Sequence, residues 1–124
     1  MKQAFLVFLG GGLGSVLRYV ITKPLNNIFP NFFLGTFLAN VVGALLIGFI
    51  LGIASRSSLI SNNSTLFLAT GFCGGFTTFS AFALEKHSLL KSGEIFHFSF
   101  YMASSIILGI LAVAVGLWLS RLGN

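Results

Sequence analysis

Charge is what this sequence of 124 residues has least of: seven Lys and Arg, two acidic residues, 7% in all. A soluble domain carries about 25%. With 56% of the chain hydrophobic, that shortage excludes a soluble enzyme domain, a nucleic-acid module and a disordered chain. Cysteine occurs once, at Cys73, so no intrachain disulfide is possible. The two carboxylates, Glu85 and Glu94, fall at the end of the third apolar run and just after it. No acid pair or histidine cluster is therefore embedded where a proton relay would need one. Ser80 has no nearby Lys or His to serve as a base. The net charge of +5 is no nucleic-acid footprint either, because the basic residues fall singly rather than on one face.

What is present is long and apolar. Charge-free runs cover residues 3–17, 24–55, 57–84 and 95–120. A membrane helix takes about 20 such residues, so the chain has room for four spans and little else. The expected fold class is all-α integral membrane, a single transmembrane domain over residues 1–124. Its spans are expected at about 4–21, 32–54, 65–87 and 96–119. Lys23 to Asn31 holds two prolines and three asparagines, a breaker composition that ends the first span. The polar run SRSSLISNNS (Ser55–Ser64) separates the second and third and is suited to capping the latter. The N-terminal run lacks a small-x-small cleavage site, which predicts a retained helix rather than a cleaved signal.

Glycine is abundant, 15 residues, and three pairs are four apart: Gly10 and Gly14, Gly48 and Gly52, Gly71 and Gly75. Such pairs let helix backbones touch in lipid. Gly71, Gly74 and Gly75 also lie beside Thr77 and Thr78, which predicts a break in the third helix, with the Gly74–Thr78 backbone leaving the α-helical pattern. The loop charges are balanced. Lys2, Arg56 and Arg121 fall on one side, and Lys23, Lys86 and Lys91 on the other, with Arg18 close by. The positive-inside rule then sets no orientation. This balance predicts insertion both ways and head-to-tail pairing of two copies about an axis in the membrane plane.

The remaining polar groups are uncharged donors at membrane depth. Asn40 lies roughly 12 Å into the second span at 1.5 Å per residue. Thr77, Thr78 and Ser80 occupy the middle of the third span, and Tyr101, Ser104 and Ser105 enter the fourth. Polar groups in lipid must be paired or face a wet cavity. Interhelical hydrogen bonding satisfies the first condition, a pore the second. Phe79 and Phe82 share a helix face just after the break, where an aromatic edge, partially positive, can meet an anion. Lipid-facing filler is the plainer reading of that stripe.

GGGLGSVLRY (Gly10–Tyr19), GTFLANVVGALLIG (Gly35–Gly48) and GFCGGFTTFSAF (Gly71–Phe82) resemble three signatures of the Fluc/CrcB fluoride channels, in register over the first three helices. The resemblance implies an antiparallel dual-topology homodimer in the cell (inner or plasma) membrane. Each dimer would have two pores that export cytoplasmic fluoride passively. It implies Asn40, Phe79, Phe82, Thr78, Ser80, Tyr101 and Ser105 as pore residues and Arg18 and Glu85 as vestibule residues. It also implies a structural sodium ion on the two-fold axis, held by the backbone carbonyls of Gly74 and Thr77. Partners would be fluoride, lipid and a second copy, with no nucleic acid and no enzymatic activity. Ala81 replaces a threonine common in the family, and Gly109 and Val113 stand where hydroxyls would extend the fourth-helix polar track. The competing readings are a small proton-coupled multidrug exporter, whose first span would need a carboxylate, and a non-transporting membrane assembly subunit.

Overall fold

The computed structural model describes residues 1–122, and every regular element in them is helical. We number the helices α1 (Lys2–Leu25), α2 (Leu34–Arg56), α3 (residues 62–76), α4 (Ser80–Lys91) and α5 (Ile95–Leu122). Among the described residues four stretches are long and apolar enough to cross a membrane: Lys2–Leu25, Leu34–Arg56, Asn62–Lys91 and Ile95–Leu122. The 24 residues of α1 alone reach about 36 Å at 1.5 Å per residue.

Local chemistry explains the ends. Asn26, just past α1, folds back on the first turn of α2. Its Oδ1 accepts the Thr36 N–H at 3.0 Å and its Nδ2 donates to Thr36 Oγ1 at 3.2 Å. Ser61 caps α3, its Oγ accepting the Ser64 N–H at 3.1 Å, as the polar loop led one to expect. Between α4 and α5, Gly93 adopts φ +79°, a left-handed conformation that glycine takes without a Cβ clash. The Glu94 N–H then reaches back to the Leu89 carbonyl at 2.9 Å, closing a Schellman turn.

Close backbone approach holds the helices together in two pairs, α1 with α3 and α2 with α5. A Cβ at Gly10 would run into the Phe67 carbonyl, and one at Gly14 into that of Phe72. A Cβ at Gly75 would meet the Gly11 carbonyl from the other side. Gly48 lies against the Val113 backbone, and Gly116 against that of Leu45. All three predicted glycine pairs are thus engaged within the chain. In lipid, where apolar exclusion does not drive helix association, this contact is the main cohesive force.

The third helix is not regular. Leu66–Cys73 is wound as a π-helix, a feature without a signal in the sequence. Gly74–Phe76 then returns to α-helix, Gly74 itself at φ −62°, ψ −37°. The break comes later than expected, at residues 77–79, where Thr77 is extended at φ −86°, ψ 157°. Its cause is a partner on another helix. Asn40 of α2 pairs with Thr78 through both ends of its amide, accepting the Thr78 N–H at 2.7 Å and donating to the Thr78 carbonyl at 3.2 Å. The Thr78 N–H, given to Asn40, is lost to the helical ladder.

Candidate functional site

The break frees backbone groups in a fixed pattern. The Thr78 N–H, which a continuous helix would give to the Gly74 carbonyl, goes to Asn40. The Ala81 N–H, due to the Thr77 carbonyl, goes to Thr78 Oγ1 at 3.1 Å. The carbonyls of Gly74 and Thr77 thereby lose their regular partners. Gly75 is supplied differently: its carbonyl accepts from Arg18 Nε at 3.2 Å and from Ser15 Oγ at 3.4 Å. Arg18, read from the resemblance as a vestibule residue, is half-buried and tied to the break through this contact.

Beside the break lies an open groove of about 360 Å³, walled by Asn40, Thr77, Thr78, Phe79, Phe82, Ser105 and Ile106. It brings together five of the seven pore candidates. Asn40 keeps one amide hydrogen after serving Thr78, because an amide nitrogen has two. Ser105 Oγ is buried and has no hydrogen-bond partner. Leaving a buried hydroxyl unmet costs about 1–3 kcal/mol, and Ser105 is one of the residues that wall the groove. Phe79 is 81% exposed, so one side of the groove is open.

Two pore candidates stand elsewhere. Ser80 is exposed outside the groove wall, its Oγ 3.4 Å from Thr78 Oγ1. Tyr101 is 0% exposed and sits behind Phe82, the ring centroids 5.4 Å apart. A buried phenol needs a partner, and Tyr101 finds Glu85, donating to Oε1 at 2.6 Å. The other carboxylate oxygen accepts from Thr36 Oγ1 at 2.7 Å. Glu85, read from the resemblance as a vestibule residue, links α2, α4 and α5 through this triad. Thr36 escaped sequence reasoning, although it lies one turn before Asn40 on the same face of α2.

Lys86 also departs from expectation. It reads as a membrane-edge charge, yet it is 4% exposed and its Nζ has no hydrogen-bond partner. The ammonium lies over the Phe82 ring at 3.6 Å from the centroid and over the Tyr101 ring at 3.0 Å. Its four-residue spacing from Phe82 along one helix is the signal that could have found it.

Fold and site together define a small multi-pass membrane protein with a polar groove at a broken helix. Residues 5–117 match the family described as CrcB-like protein, Camphor Resistance (CrcB). The fluoride-specific ion channel FluC of Phocaeicola vulgatus is 48% identical over 122 residues, covering 98% of this chain and all of that one. Its namesake in Chlorobium luteolum is 44% identical over 115 residues, 93% of this chain and 89% of the relative. Another, in Bacteroides fragilis, is 48% identical over 126 aligned positions, 98% of each chain. The chain belongs to the CrcB-like family.

Proposed function

We infer that the chain is a fluoride-specific ion channel, not an enzyme, exporting cytoplasmic fluoride passively across the cell (inner or plasma) membrane and so lowering its toxicity. The observation that carries this reading is the groove's set of uncharged donors, above all the unpartnered Ser105 hydroxyl and the spare Asn40 amide hydrogen, both on residues that wall it. Fluoride holds its water tightly, and a pore must replace that shell with equivalent donors. Hydroxyls, an amide and aromatic edges do so without a full charge in the wall to trap the ion. The names of relatives at 44–48% identity support the same substrate.

In this reading two copies pair antiparallel, each pair enclosing two pores. The open side of the groove and the exposed Phe79 ring support a second copy as the missing wall. Labelling should find C-termini on both membrane faces; all of them on one face would contradict dual topology. A sodium ion on the two-fold axis fits the freed carbonyls of Gly74 and Thr77, since unwound backbone oxygens suit a hard monovalent cation. Bound there, it would offset the carbonyl dipoles of the break and tie the two copies together.

Proteoliposomes loaded with potassium fluoride provide the test. Fluoride should leave on addition of a potassium ionophore, with no proton gradient imposed. Efflux that requires a proton gradient would favour a proton-coupled multidrug exporter, although α1 holds no carboxylate for that chemistry. No fluoride flux from a folded, reconstituted protein would favour an assembly subunit.

A further inference from the structure

We propose that Lys86 is a specificity-determining residue of the anion route, its ammonium on the face of Phe82 making that ring's edge a stronger contact for fluoride. The inference rests on the reading of the groove as the fluoride path. Three features of the site carry it. Lys86 is buried, its Nζ makes no hydrogen bond, and it makes no ion pair: among the described residues the one charged pair within 4.0 Å is His97 with Glu94. Its sequence neighbour Glu85 turns both oxygens to Tyr101 and Thr36 instead. A buried ammonium without a partner is expensive, and the packing here directs it onto two aromatic faces.

The second feature is position. Lys86 and His87 line a cavity of about 360 Å³ that shares Phe79, Phe82 and Ile106 with the groove. The Phe82 ring thus carries the cation on its face and also walls the groove that holds Asn40 and Ser105. The third is electrostatic. A cation on a ring face draws π density toward itself and leaves the ring edge more positive, which strengthens the edge as an anion contact. Lys86 thus supplies attraction through the ring while never touching the ion, and no full charge enters the conduction path.

Fluoride efflux measured against fluoride concentration tests this. Lys86→Met should raise the half-saturating concentration about tenfold, with a maximal rate at or above wild type. Lys86→Arg, which keeps the cation, should stay within about threefold. In a Phe82→Leu background the same Lys86→Met change should shift half-saturation less than about twofold, because the ring that relays the charge is gone. Should Lys86→Met not reconstitute, Lys86→Gln makes the same comparison. Unchanged half-saturation in the charge-free variant overturns the proposal. So does an equal shift without the Phe82 ring, or a fall in maximal rate alone, which marks a structural lesion. Absence of fluoride flux in the wild-type protein would instead defeat the functional reading itself.

Discussion

Asn40→Asp should cut fluoride flux about a thousandfold while leaving the assembled protein largely intact. The estimate is electrostatic. At ~4 Å and an effective dielectric near ~20, a carboxylate repels a monovalent anion by about 4 kcal/mol. At about 1.4 kcal/mol per factor of ten, that removes roughly three decades of occupancy. The geometry adds a second loss. Asn40 Nδ2 donates to the Thr78 carbonyl at 3.2 Å, and the substitution sets an acceptor against that acceptor. The Thr78 N–H keeps its partner, since either carboxylate oxygen can replace Oδ1. Flux should be measured at alkaline pH, where the introduced carboxylate is ionised. A correctly assembled Asn40→Asp protein that conducts normally there would remove Asn40 from the anion path.

The other large effect concerns stability. Gly14→Ala should lower folding stability by about 3 kcal/mol, the scale of an overpacked site with no room to give. The added Cβ would collide with the Phe72 carbonyl and stand 2.8 Å from the Phe76 N, both backbone atoms that cannot swing aside. Gly12→Ala, two residues earlier, meets nothing within 4 Å. It should be neutral or gain up to about 1 kcal/mol of helix propensity. Thermal unfolding of the two variants in detergent, followed by size-exclusion chromatography, compares them directly. Equal melting of both would mean that α1 does not lie on α3 as described.

How much of this was legible in the sequence depends on range. Helix number and extent follow from where charges are missing, because apolar length alone decides what can span. The glycine pairs were equally readable, since a four-residue spacing is a local fact. The break was visible only in its neighbourhood. Gly74 and Gly75 weaken a helix, but the backbone departs at residues 77–79, because an amide on α2 captures Thr78. Nothing near Thr78 in sequence announces that partner. The Thr36–Glu85–Tyr101 triad was hidden for the same reason, as its members come from three helices. Tyr101 and Ser105 are one turn apart on α5, yet one is sealed behind Phe82 and the other belongs to the groove wall. Helical spacing gave the shared side of α5 without showing which residue the neighbouring rings would cover. Lys86 was misread because a lysine near the end of an apolar run ordinarily snorkels to water.

The most direct measurement is an experimental structure of the reconstituted protein, determined with fluoride present and again without it. An isolated density feature is expected in the groove about 3 Å from Asn40 Nδ2 and Ser105 Oγ, beside the Phe79 and Phe82 rings. That feature should vanish without fluoride and in Asn40→Asp. A groove filled by lipid in both conditions, with fluoride density elsewhere, would contradict the account.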